Sequence, residues 1–318
     1  MTEKERFAAA LRREPVSGRV PTFELVFFLT MEAFGKVHPS HRAFSQWWQM
    51  SDRERELQRI DAADLFLDTA RKYNHSCIFV HPFRGEYEEV ARLLTLIRER
   101  GNDEYFLVMH GDPTFSIPNG SDMMEQSARY YEDPEAVHKE AEGRLKGQLE
   151  RAERLAKDNL LDGFALCSDY CFNTAPFFSP ALFEEFIAPY LKRVCDEYRS
   201  MGFYTIKHTD GNIMPIVDQM VDCGPDALHS LDPQGGVSLG EVKRRYGDRV
   251  ALCGNVNCGL LQTGTDEEAA ADVRRALREG MEGGPGYIFC TSNCVYTGLA
   301  LERYEMMMDI WQKEGVYR

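Results

Sequence analysis

The chain lacks any apolar run near the roughly 18 residues that a membrane helix needs, although 43% of its 318 residues are hydrophobic. A membrane-spanning protein is therefore not expected. Its start, Met1-Thr2-Glu3-Lys4-Glu5-Arg6, is charged and runs into Phe7–Leu11 with no apolar signal core, so the expected location is the cytoplasm. Blocks rich in lysine and arginine are missing and the net charge is −14, which argues against a nucleic-acid partner. The nine cysteines do not show the turn-rich spacing of a disulfide framework. Cys77, Cys167, Cys195 and Cys253 lie inside apolar stretches and read as buried thiols. No Gly-x-Gly-x-x-Gly turn follows the first apolar run, where Pro21-Thr22-Phe23-Glu24-Leu25 stands instead, so a dinucleotide-binding open sheet is disfavoured. Repeats, low-complexity tracts and Pro/Gly/Ser linkers are also absent, and residues 1–318 are expected to form one domain.

What is present is an alternation of strand-like and helix-like segments, the pattern of a parallel sheet. Eight strand-like runs occur at 20–28, 76–80, 104–109, 163–167, 203–207, 227–230, 249–253 and 287–290. Amphipathic helical patterns cover 86–100, 134–158, 180–201, 239–246, 266–282 and 300–315. Ser179 before Pro180 and Thr265 before Asp266-Glu267-Glu268 read as helix starts. Eight strand–helix repeats in this length predict an α/β fold, a (β/α)8 TIM barrel. The stretch from Asp112 to Gly120 reads as a rim loop.

In such a barrel the chemistry gathers at the C-terminal ends of the strands. The run Phe203–Ile206 leads into Lys207-His208-Thr209-Asp210-Gly211-Asn212. Residues two apart on a strand share a face, so His208 and Asp210 present an imidazole and a carboxylate together. Gly211 permits a tight turn and close approach of a ligand. The last strand-like run ends in Cys290-Thr291-Ser292-Asn293-Cys294. If both strand ends open on one rim, a nitrogen, an oxygen and one or two sulfurs can converge on zinc. Glu24, a carboxylate inside an apolar run, is a secondary candidate ligand, because buried carboxylates are rare unless paired or metal-bound. His81 and His110 read as substrate contacts or satisfied core histidines. The aromatic cluster of Tyr170, Phe172, Phe177 and Phe178 suits either a core or an apolar substrate.

Asn173–Lys192, with Ser-Pro opening a helix that reads Phe-x-x-Phe-x-x-Pro-Tyr, resembles the uroporphyrinogen decarboxylase superfamily. So do Lys207–Asn212, Gly254-Asn255-Val256 and Gly283–Ile288. Within it, the resemblance is to the corrinoid-dependent methyltransferases and covers about the C-terminal half. It implies a barrel with its site at the open C-terminal end. The decarboxylases carry Arg-Gln-Ala-Gly-Arg after the first strand, whereas this chain has Glu24 to Met31 with no arginine. The methyltransferases hold zinc on His-x-Cys and a later cysteine. His208 and one of Cys290 or Cys294 match that set, and Asp210 departs from it.

A carboxylate in place of a thiolate makes zinc a harder Lewis acid, suited to a methoxy oxygen. Like the O-demethylase members, the chain is thus expected to move a methyl group from a small methylated substrate to the corrinoid of a partner protein. His208 and Asp210 would carry the chemistry, with zinc held by His208, Asp210, Cys290 or Cys294, and Glu24. His110, Asp169, Tyr170 and Asn255 would position the substrate. No Asp-x-His-x-x-Gly motif for binding cobalamin occurs, so the corrinoid belongs to the partner. A homodimer is a compatible assembly, and a tetrapyrrole decarboxylase is the alternative activity.

Overall fold

A computed structural model describes residues 1–317. Seven strands, β1 (Cys77–Phe79), β2 (Phe106–His110), β3 (Gly163–Leu166), β4 (Tyr204–Thr209), β5 (Ala227–Ser230), β6 (Ala251–Cys253) and β7 (Tyr287–Ile288), form one sheet in sequence order. Every neighbouring pair is parallel, and helices connect the strands. The fold is a TIM-like barrel. The expected first strand, 20–28, is not a regular strand, yet it fills the eighth position. Ser76 N–H donates to Thr22 O at 2.6 Å and Phe289 N–H to Pro21 O at 2.9 Å, while Val295 N–H donates to Val26 O at 2.8 Å. Pro21 has no N–H to give a ladder, and only isolated bridges at Thr22–Phe289 and Phe27–Val295 remain.

Side chains alternate across each strand. On β4, Ile206 joins Ala165, Ala227, Ala251, Cys253, Ile288 and Cys290 in the core inside the barrel. The helix Glu3–Leu11 closes the floor, with Phe7 edge-on to Phe23 and tilted against Phe106 at centroid distances of 5.4 and 4.9 Å. Burying a phenylalanine this fully contributes about 1.5–3 kcal/mol. A second, larger core lies between the strands and the helices.

Ser179 Oγ accepts from Leu182 N–H, and Thr265 forms a capping box with Glu268. The helix expected over 180–201 is two helices, Pro180–Phe186 and Ala188–Ser200, with Ile187 between them at φ −113° and ψ −55°. Pro189 is the physical cause, since it lacks an N–H and its ring crowds the carbonyl four residues earlier. The 22-residue helix Asp52–Tyr73 and the helix Met123–Glu132 have no counterpart among the expected helices. No helix among the described residues is long and apolar enough to cross a membrane.

Candidate metal centre

His208, at the end of β4, is buried, and Asp210 follows just beyond the strand. Its Nε2 lies 3.7 Å from Asp169 Oδ1 and 3.8 Å from Asp210 Oδ1. Ligand atoms of Asp169, His208 and Asp210 all lie within 4.8 Å of one another, the one such His/Cys/Asp/Glu group among the described residues. Asp169 comes from the loop after β3, and its Oδ1 also accepts from Asp210 N–H at 3.3 Å. Burial, with the charges of Lys207 and His110, lowers the His208 pKa to about 3. The ring is therefore neutral and able to ligate. Burial raises the Asp210 pKa to about 7; the Ser230 bond opposes this, and the charges of Asp169 and Asp232 add to it. Two carboxylates and one neutral imidazole, crowded and half-desolvated, form a donor set that fits a divalent cation.

Asp210 is held on both oxygens. Ser230 Oγ donates to Oδ1 at 2.7 Å and Asn293 Nδ2 donates to Oδ2. Ser230 sits at φ +80°, a conformation that costs on the order of 1–3 kcal/mol and concentrates at functional sites. Gly211 is required at φ +79°, but backbone, rather than a ligand, makes the close approach there. An added Cβ would lie 2.6 Å from Phe172 O and 2.7 Å from Cys171 O.

Several expected site residues lie elsewhere. Cys290 is fully buried inside the barrel beside Cys253 and Ile288, and burial holds its thiol well above the usual range. Glu24 spends Oε2 on Thr291, accepting from its N–H at 3.2 Å and sharing a 2.5 Å hydrogen bond with its Oγ1. Glu24 also borders a cavity of about 30 Å³ with Thr30, His38 and His75. Neither residue belongs to the group at the mouth, and Glu24 Oε1 is buried without a hydrogen-bond partner. Tyr170 is wholly buried, its hydroxyl 2.6 Å from Thr114 Oγ1 and its ring 4.0 Å from Lys207 Nζ. Asn255 is equally buried; it donates to Leu231 O at 2.6 Å and accepts from Arg275 at 3.1 Å. Both side chains are buried and hydrogen-bonded within the protein.

Cys294 is partly buried, outside the 4.8 Å group. Its thiol is pushed up to about 12 by burial and then by the Asp210 charge. Its N–H donates to Asn293 Oδ1 at 2.6 Å, so it shares the loop that touches Asp210. His110 ends β2 exposed, 4.9 Å from the His81 ring and 4.7 Å from Phe79. Phe28 stacks on His41 at 4.5 Å, and His38 lies 6.1 Å from His81, which makes an imidazole-rich aromatic wall.

The reading from sequence missed Asn293, Ser230 and the pair Lys207–Asp112. Lys207 faces away from the barrel interior and is fully buried. Its Nζ donates to Asp112 Oδ2 and Ser168 O, both at 2.8 Å, and to Leu166 O at 3.1 Å. Burial alone would raise the Asp112 pKa, but Lys207 and Thr114 hold it low. Asp112 also accepts from Ser168 N–H at 2.9 Å, so the pair ties the loop after β2 to the loop that delivers Asp169. The only signal in the sequence was a charged residue alternating with His208 on the other face of a strand.

A parallel barrel with an imidazole and carboxylates gathered at the C-terminal mouth is the architecture of a TIM-barrel active site. The family model for uroporphyrinogen decarboxylase (URO-D) matches residues 124–313, and the chain belongs to that family. A uroporphyrinogen decarboxylase from Thioalkalivibrio sulfidiphilus (strain HL-EbGR7) is 28% identical over 148 residues, 43% of this chain and 39% of that protein. The match thus spans about two fifths of that relative's length. Among solved structures, a methyltransferase from Methanosarcina mazei superposes with a TM-score of 0.74 at 18% identity, covering 99% of both chains. A GH5_18 protein from Bifidobacterium longum subsp. infantis gives a TM-score of 0.51 at 12% identity, over 94% of this chain and 80% of that one. These two likenesses are likenesses of fold.

Proposed function

We propose that the chain is a zinc-dependent methyltransferase that takes a methyl group from a small, methoxylated substrate and passes it to the corrinoid of a partner protein. The observation that carries this reading is the convergence of Asp169, His208 and Asp210 on one point at the barrel mouth. The methyltransferase fold neighbour, which extends over the whole chain, supports it. His208 Nε2 and the two carboxylates would hold the metal, and Cys294 is the thiol on the adjoining loop. A bound zinc ion would supply Lewis acidity toward the oxygen that gives up the methyl group. Ser230 and Asn293 fix the orientation of the Asp210 carboxylate. His110 and His81, with Phe79 beside them, offer an aromatic wall against which a small apolar substrate can lie. On this reading the partner's cofactor would approach the substrate in line through the open mouth.

A second reading, decarboxylation of a tetrapyrrole, draws on the family match and the Thioalkalivibrio relative. Against it, residues 24–31 contain no arginine to grip the carboxylates of such a substrate. Elemental analysis tests the metal. One zinc per chain is expected in the wild type, with none in a folded His208→Ala variant. Equal zinc in both proteins would remove the site as drawn.

A further inference from the structure

His229 sits behind the metal centre without touching the carboxylates. We propose that His229 is a positioning residue that fixes which nitrogen of His208 faces the metal, an inference that rests on the metal-centre reading above. β4 and β5 pair His208 with His229 in register, and cross-strand partners share a face. Both rings therefore enter the barrel interior beneath the mouth. Their Nδ1 atoms are 2.8 Å apart and both residues are buried.

A neutral imidazole has one N–H and one bare nitrogen, and an N···N hydrogen bond needs one of each. On His208 it is Nε2 that faces Asp169 and Asp210, so Nε2 is the nitrogen that can reach a cation between them. A ligating nitrogen must be bare, and the His208 proton must then sit on Nδ1 and be donated to His229 Nδ1. That places the His229 proton on its own Nε2, which is buried without a hydrogen-bond partner. The Phe23 ring stands nearby in a T-shaped arrangement, with centroids 5.7 Å apart.

Metal-binding histidines ordinarily give their second N–H to a carboxylate, a backbone carbonyl or water. Here a second imidazole takes that place. A carboxylate would add a third negative charge beside Asp169 and Asp210, whereas a neutral imidazole orients His208 and adds none. The metal's pull on a bound oxygen is then less weakened.

Zinc affinity, measured by competition with a chromophoric chelator, and long-range 1H–15N spectra of the zinc-loaded full chain test this. Wild type and His229→Asn, whose Oδ1 can accept the same bond, should both show His208 protonated on Nδ1 and should bind zinc comparably. His229→Phe keeps the bulk but offers no acceptor, and its zinc affinity should fall about 10–100-fold with circular dichroism unchanged. If His229→Phe binds zinc as tightly as wild type, the inference is wrong while the metal centre stands; a His208 proton on Nε2 in the loaded protein would overturn both, because Nε2 is the nitrogen that faces Asp169 and Asp210. A wild type that takes up no zinc overturns the metal-centre reading itself, and this inference with it. Should His229→Phe fail to fold, the wild-type spectrum and the His229→Asn affinity still decide.

Discussion

Asp210 is the residue on which the proposed chemistry turns. A thiolate at this place would donate more charge to zinc and weaken its pull on an ether oxygen. Asp210→Cys should therefore keep zinc while demethylation of an oxygen-linked methyl group falls, measured as metal content and methyl transfer on the same preparation. Full activity with zinc in place would reduce Asp210 to an orienting or substrate contact. Glu24 poses a separate question of stability. Burial first, opposed by bonds from Thr291 and Tyr304, raises its pKa from 4.5 to about 8, so the folded protein holds this proton at neutral pH. A raised folded-state pKa contributes stability that is fully present below 4.5 and is lost as pH rises through 8. Glu24→Gln removes the titration. Relative to that variant, wild type should lose about 1.4 kcal/mol per pH unit across this window, read from denaturant midpoints. Parallel pH profiles for the two proteins would show that Glu24 is not buried as described.

At this same scale, His208 and Asp210 could be paired from the chain alone, because their spacing on a strand decides their face. Asp169 could be placed at the rim but not beside them, since that approach depends on how two loops pack. Cys290 and Glu24 are not in the group that Asp169, His208 and Asp210 form, and the sequence could not show this, because position along a strand does not tell whether a side chain lies in a barrel's inner layers or at its mouth.

Among elements, the loops after β2 and β3 depend on one buried ion pair. Lys207 and Asp112 are 95 residues apart and meet at 2.8 Å, with side-chain exposures of 0% and 6%. Such a pair is weak evidence of net stability, but removing one partner leaves an uncompensated buried charge, at a cost of about 3–5 kcal/mol. Lys207→Met should show that loss in chemical denaturation. It should also weaken zinc binding, because the loop carrying Asp169 is released. The double variant Lys207→Met/Asp112→Asn removes the stranded charge and should recover part of the stability. If the single variant is as stable as wild type and holds zinc normally, the pair does not organise the site. The strands themselves were legible from their apolar runs and polar ends. The segment 20–28 was legible as a barrel position but its irregularity was not, because it pairs through isolated bridges across the barrel's seam. The break at Ile187 did have a signal, Pro189, inside a helical pattern otherwise strong enough to mask it.

For the whole molecule, the barrel is closed at one end and chemically equipped at the other. Phe7 and its helix seal the floor, whereas His208, Asp169 and Asp210 gather at the opposite end of the strands. A methyl group leaving a substrate held there needs an acceptor. On the proposed reading that acceptor is the corrinoid of a partner protein, reached through the mouth, and the chain carries no Asp-x-His-x-x-Gly motif of its own. We predict that the purified, zinc-loaded chain alone produces no demethylated product from a methoxylated aromatic compound, and that product forms when a reduced corrinoid protein is added. Methylated corrinoid should appear in step with the demethylated product, followed by its visible spectrum, because each methyl lost by one is gained by the other. Turnover by the isolated chain would remove the need for a partner. Decarboxylation of uroporphyrinogen at a comparable rate would place the activity with the relatives that share its family rather than with the methyltransferase whose fold it matches along its length.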